Sequence, residues 1–235
     1  MEAEHPELLY RDGQLVVCVK KPGWLSEPAG GKNLPELVSK YLDAQGESSE
    51  VYTVHRLDKP VGGLSVLART GDAAGDLIAQ IAAKTVRKEY FAVLCGVPAQ
   101  ARGAWTDLLF HDAQKNKTFV VQRERRGVRP AALEYAALQT VSFEGRELTL
   151  VRVRLQTGRT HQIRAQFSSR QLPLLGDVRY GSKEPRCDVS LWSCLLRFRH
   201  PDTGRELRFF RRPPEAFPWN LFAENCYVSP SPFGE

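Results

Sequence analysis

Two short polar clusters stand out in this 235-residue chain, because the residue types in each could do chemistry. The first is His55-Arg56-Leu57-Asp58, followed by Lys59-Pro60-Val61-Gly62-Gly63. A carboxylate beside two cationic side chains, in a turn shaped by Pro and Gly, can be presented in its ionised form to a reacting atom. A surface turn with an ordinary ion pair is the competing reading. The second cluster is Gln156-Thr-Gly-Arg-Thr-His-Gln-Ile-Arg164. It leaves a strand, turns at Gly158 and enters a helix, so that its amides could face an anion. Thr160 and Arg164 would share a helix face, and Arg164 and Arg159 are of the type that clamps carboxylates or phosphates in a fork. A capped helix with solvated arginines is the competing reading.

Other familiar chemistry is missing from the sequence. It holds no phosphate-binding glycine loop of the nucleotide-binding types, no nucleophile elbow and no zinc-protease motif. Cys18, Cys95, Cys187, Cys194 and Cys226 are scattered, with neither C-x-x-C nor Cys/His ligand spacing, so they read as reduced thiols of a cytosolic protein. The first residues are acidic and lack the apolar stretch of a signal peptide. No apolar run reaches the roughly 18 residues of a membrane helix. The expectation is a cytoplasmic, membrane-free chain. Lys plus Arg number 33 against 27 acids, a net charge of +6, which favours a polyanionic partner without proving one. With 42% hydrophobic and 26% charged residues, the chain is globular in composition.

Elements that could position the clusters follow from periodicity. Leu15–Val19 is a buried strand between turns. Asn33 caps a helix with Leu34, Leu37, Val38, Tyr41 and Leu42 on one face. A strand over Leu64–Ala68 follows the first cluster. Asp72 opens a second helix, with Leu77, Ile78 and Ile81 on one face, that runs into the basic segment 84–88. Tyr90–Leu94, Phe119–Val121, Leu133–Ala137 and Leu148–Leu155 read as strands, with Gln122–Arg129 a basic loop. Residues 160–171 read as a short helix. Strands over Leu191–Phe198 and Glu206–Phe210 close the pattern around a His200–Gly204 turn. Helices among hairpin-linked strands predict an α+β fold with a mixed or antiparallel sheet, in one domain spanning 1–235.

Taken together, the motifs resemble the RluA-type pseudouridine synthases. Leu9-Tyr-Arg-Asp-Gly-Gln-Leu-Val-Val with Lys21-Pro22-Gly23 is similar to that family's opening strand and turn. His55-Arg-Leu-Asp58, Lys88-Glu-Tyr90, Thr157-Gly-Arg-Thr-His-Gln-Ile-Arg164, Gly176-Asp177 with Tyr180-Gly181, and His200-Pro201 with Gly204 follow its signatures in order, from about residue 8 to 215. The resemblance implies a long sheet flanked by helices, with a central RNA-binding cleft; because the catalytic pattern starts by about residue 8, no separate N-terminal S4-like domain is expected. It also implies isomerisation of uridine in ribosomal or transfer RNA, without cofactor or metal. By resemblance Asp58 is the catalytic carboxylate acting near C1′ or C2′ of the ribose, Arg164 its ionic partner, and Tyr90 the group against the uracil. Arg56 would stabilise the flipped-out nucleotide. His55, Lys88, Arg159, Thr160 and His161 are the further candidates for holding RNA, His161 chiefly by ordering the helix of Arg164. Lys84, Arg87, Lys115, Lys117 and Arg123–Arg129 are candidate phosphate contacts. Nothing in the sequence demands more than a monomer.

One departure matters. Val61-Gly62-Gly63 stands where the family commonly has Thr-Ser-Gly, so two hydroxyls that could brace the Asp58 turn are gone. That substitution is the only feature favouring the alternative reading, an RNA-binding or RNA-folding factor with little or no catalysis. A DNA-binding role has no helix-turn-helix or zinc pattern behind it.

Overall fold

The computed structural model describes residues 5–228 and 231–234. Among these residues it contains eleven strands and three α-helices, an α+β fold as expected. The chain divides into two compact units, one made of residues 1–88 and 193–211, the other of 89–192 and 212–235.

In the first unit, β1 (Glu7–Arg11), β2 (Leu15–Lys20), β4 (Gly62–Ala68) and β10 (Leu191–Arg199) lie in the order β1-β2-β4-β10. The two-residue β3 (Tyr52–Thr53) pairs with β4, and β11 (Glu206–Phe210) with β10. Every residue of β2 is buried, because helices cover both of its faces. Leu15 and Val17 point to α2 (Gly71–Ala82) through Ala73, Ala74 and Leu77. Val16 and Cys18 point to α1 (Leu34–Ala44) through Leu34, Val38 and Leu42. Each such aliphatic side chain contributes roughly 1.5–3 kcal/mol on burial.

The caps are local. Asn33 Oδ1 accepts the Glu36 amide at 3.0 Å, as the sequence indicates for α1. For α2 the cap is Thr70, whose Oγ1 accepts the Ala73 amide at 3.1 Å, so the helix begins at Gly71 rather than at Asp72. Its buried stripe is Ala73, Ala74 and Leu77, while Ile78 is exposed, a correction to the expected face. The helix also stops earlier than the charge run suggests. Lys84 takes a left-handed conformation (φ 59°), and Arg87 and Lys88 already belong to β5 (Arg87–Cys95).

In the second unit β5 is followed across the sheet by β9 (Arg146–Leu155), β8 (Val128–Phe143), β6 (Arg102–Asp112) and β7 (Lys117–Val121). The β6–β7, β6–β8 and β8–β9 pairs are antiparallel, with a bulge in β8 between Ala137 and Gln139. The third helix, α3 (Gln162–Ser168), packs Ala165 against Leu109 and Ala131 on one face of these strands. No helix among the described residues is long and apolar enough to cross a membrane.

Candidate active site

Asp58 sits in the connection from β3 to β4, which is fixed by backbone contacts. The Ser26 hydroxyl donates to Leu57 O at 2.8 Å and accepts Leu57 N–H at 2.9 Å, so one side chain grips both polar groups of the preceding residue. Leu57 itself is buried. After Asp58, its carbonyl accepts Val61 N–H at 2.9 Å to close a tight turn. The carbonyl of Lys59 accepts Gly23 N–H at 2.8 Å and the buried Lys20 ammonium at 3.2 Å. Lys20 Nζ also donates to Trp24 O and Lys21 O, so a fully buried cation is satisfied by three carbonyls. Lys21-Pro22-Gly23 therefore supports the Asp58 turn, a role that its spacing does not reveal.

The departure at Val61 and Gly62 lies where the turn enters β4, beside a glycine that is kept at 63. Val61 is buried in the core, and Gly62 and Gly63 open β4. Gly63 has φ 115°, and a Cβ there would come within 2.3 Å of the Ser193 carbonyl oxygen. Only glycine fits. The turn is closed by backbone bonds, so it stands without hydroxyls at 61 and 62.

Around Asp58 the other candidates of the first unit differ in character. Arg56 is exposed and pairs with the exposed Glu27 at 3.0 Å, leaving it loosely held. His55 is buried, and its Nε2 accepts Val66 N–H from β4 at 3.1 Å, which puts any ring proton of the neutral form on Nδ1. Burial, with the Lys88 charge as a second cause, keeps its pKa well below the usual histidine value. His55 is thus a neutral brace for the turn and presents no cation to a phosphate. Lys88 is half-buried, and burial lowers its ammonium to about 8.

The second unit holds Tyr90, Arg159, Thr160, His161 and Arg164. Tyr90 is buried on β5. On the same strand Glu89 is buried with Arg152 of β9, Nε to carboxylate 2.7 Å. Arg164 lies on α3 with 3% of its surface exposed. Its Nε and Nη2 meet Asp177 Oδ2 and Oδ1 at 2.6 and 2.9 Å, a two-point fork with a carboxylate that is wholly buried. Its guanidinium carbon is 5.0 Å from the centre of the Tyr180 ring. Tyr180 Oη in turn accepts Thr118 N–H at 2.7 Å and shares a hydrogen bond with His161 Nδ1 at 3.1 Å. Asp177 is the partner of Arg164 that reasoning from spacing misses. Its signal is the Gly176-Asp177 pair with Tyr180-Gly181 that the sequence carries.

The helix is shorter than expected, and its entry is closed to an anion. α3 begins at Gln162, so Thr160 and His161 lie in the turn before it, and Thr160 shares no helix face with Arg164. His161 has φ 54°. Gln162 Oε1 accepts the Arg159 amide and the Thr157 hydroxyl, at 3.0 and 2.8 Å, which fills the place an anion would take. The Thr160 carbonyl accepts the Thr118 hydroxyl at 2.8 Å, tying the turn to β7. Arg159 is exposed and donates to Pro130 O. Among the described residues no group of His, Cys, Asp and Glu is placed to hold a metal ion.

Known proteins share this architecture. The human RNA pseudouridylate synthase domain containing 4 matches with a TM-score of 0.74 at 22% identity, over 92% of this chain and 91% of that one. The fold is therefore that of the pseudouridine synthases. A model of the RNA pseudouridylate synthase family matches residues 14–169. Over 233 residues the chain is 32% identical to the ribosomal large subunit pseudouridine synthase D of Pseudomonas aeruginosa, covering 92% of this chain and 70% of that protein. It is 31% identical over 226 residues to an uncharacterised RNA pseudouridine synthase of Aquifex aeolicus, covering 89% and 70%. The chain belongs to the RNA pseudouridine synthases of the RluA type and is an isomerase of uridine in RNA.

Proposed function

We propose that this enzyme converts specific uridines of structured RNA to pseudouridine with Asp58 as the reacting carboxylate, acting as a cytoplasmic monomer whose residues 1–235 form one catalytic domain. Ribosomal large-subunit RNA is the first substrate to test, because relatives at 30–32% identity carry that name. The observation that carries the reading is the Asp58 turn, whose backbone on either side of the carboxylate is held by Ser26, Gly23 and Lys20.

The target base must leave its stack, at a cost of a few kcal/mol. Arg56, long, exposed and loosely paired, is suited to stabilise the flipped state. The N1–C1′ bond then breaks, with Asp58 either attacking C1′ or taking a proton at C2′. The uracil turns and C5 bonds to C1′, as the Asp58 carboxylate leaves C1′ or returns its proton to C2′; the C5 proton is then lost and N1 gains one, so substrate and product are isomers and Asp58 is regenerated. Arg164 is the ionic partner of the Asp58 carboxylate, and Asp177 fixes that cation's direction. Tyr90 lies against the uracil and assists loss of the C5 proton. Lys88, Arg159, Thr160 and His161 hold the RNA or the turn that meets it, while His55 braces the Asp58 turn.

Chemical labelling of pseudouridine, read as reverse-transcription stops in total RNA, tests the proposal in cells with and without the chain. A stop lost on deletion and restored by the native chain but not by Asp58→Asn is expected. Full restoration by Asp58→Asn would overturn the assignment of Asp58.

A further inference from the structure

Phe119 is the only aromatic residue among the exposed large hydrophobic side chains of the described residues, with 37% of its surface exposed. It projects from β7, which ends the strand order of the second unit. Across the ladder it faces Phe110 of β6, over whose ring Arg125 lies at 4.5 Å. Residues 110–129 carry Lys115, Lys117, Arg123, Arg125, Arg126 and Arg129 against Asp112 and Glu124. Residues 122–127 are exposed throughout. A protein core has no use for such a surface, and aromatic faces set among cations are what single-stranded nucleic acid requires.

The patch is also continuous with the group that holds Arg164. Lys117 Nζ lies 5.1 Å from the Tyr180 ring centre and 5.7 Å from that of Phe119. The Tyr180 ring in turn lies 5.0 Å from the Arg164 guanidinium carbon. Cation and aromatic thus alternate from Arg164 through Tyr180 and Lys117 to Phe119.

We propose that Lys117, Phe119 and Arg125 form a docking surface for the RNA strand flanking the target uridine. Lys117 and Arg125 take backbone phosphates, and Phe119 stacks a base next to or near the target. This rests on the proposed function, since it takes Arg164 to mark the reacting centre. The surface reads no hydrogen-bond pattern, so it grips a flanking segment that is unpaired, whatever its sequence.

The test uses the full chain with an unmodified transcript of large-subunit ribosomal RNA, measuring affinity across a potassium chloride series and steady-state pseudouridine formation. Phe119→Leu keeps an apolar side chain at an exposed position and removes the ring. We expect it to raise Kd and KM about fivefold to tenfold, the lower end of base–aromatic stacking, with a smaller change in kcat. Lys117→Gln should flatten the slope of log affinity against log salt by about 0.7, one single-strand phosphate contact. Ile78→Ser, on exposed α2 of the other unit, is the control and should leave both quantities unchanged. Wild-type KM and salt slope in both hairpin variants would overturn the proposal, as would happen if the patch served an acidic protein instead. RNA binding that depends on Phe119 and Lys117, in a wild-type protein that forms no pseudouridine, would keep the docking surface and overturn the catalytic reading.

Discussion

The turn of Asp58 and the helix of Arg164 are positioned by opposite means. Asp58 is placed through its backbone neighbours, by Ser26 on Leu57 and by Gly23 and Lys20 on Lys59, while its own side chain is half-exposed. Arg164 is placed through its side chain, by a buried fork to Asp177 and by the Tyr180 ring. The carboxylate proposed to react sits on a turn anchored at main-chain groups of its neighbours. A charge that must stay fixed has its stability invested in the same bonds that aim it. The two sites should therefore separate stability from activity differently when altered.

The largest effect on stability is expected at the fork. Arg164→Ala leaves the Asp177 carboxylate buried without its partner, a loss of about 3–5 kcal/mol, or a fall in Tm of about 6–20 °C for a chain of this size. Adding Asp177→Asn to Arg164→Ala should recover part of that Tm and none of the activity. Recovery of neither would mean that the fork is not what holds α3. Asp177→Asn alone should slow single-turnover pseudouridine formation by about a hundredfold, in line with misplacing a catalytic group by about an ångström. Its effect on RNA affinity should be within a few-fold.

Next comes Gly63→Ala, at the base of the Asp58 turn. The added methyl meets the Ser193 backbone in a left-handed conformation, and we expect a loss of about 2–4 kcal/mol, measured by urea unfolding. A neutral result would show that the β4 entry is looser than described. Smaller still is the effect of acid at Asp12. Partial burial by itself would raise the Asp12 carboxyl, but bonds from Tyr10 Oη, the Gln14 and Leu15 amides and His200 outweigh it and hold it at about 2. A depressed folded-state pKa contributes stability above the unfolded value near 4, and this is lost as pH falls toward 2. Asp12→Asn should thus lower Tm at pH 6 and have progressively less effect below pH 4. An equal deficit at both pH values would place the loss in packing. The smallest effect is expected in the RNA affinity of Lys88→Ala. Any deficit against wild type should vanish as pH rises through about 8, where Lys88 loses its charge.

The sequence reveals the fold class, most strands and both clusters, because alternation and cap residues are local signals. It conceals β6, whose stretch from Arg102 to Asp112 buries only Leu109 fully and mixes Arg, Thr and Asp among its apolar residues. The fork of Arg164 to Asp177 spans thirteen residues and a reversal of the chain, so no periodicity announces it. The shortening of α3 has the same kind of origin. Gln162 reads as an ordinary helical residue, yet its side chain reaches back to Thr157 and Arg159 and defines the turn. Spacing also misplaces His55, since a histidine beside an arginine looks like a surface cation until the strand that buries it is known.

The central claim is that Asp58 is the reacting carboxylate, carried on a turn whose backbone is fixed at Leu57 and Lys59. Single-turnover pseudouridine formation by purified Asp58→Asn, on an RNA that the native chain modifies, tests this most directly when run beside affinity and thermal melting. Product should fall by about 10²- to 10⁴-fold, with affinity within a few-fold and the variant still folded at the assay temperature. Product at the wild-type rate would contradict the account, and a loss of activity matched by a loss of folding would return Asp58 to a structural role.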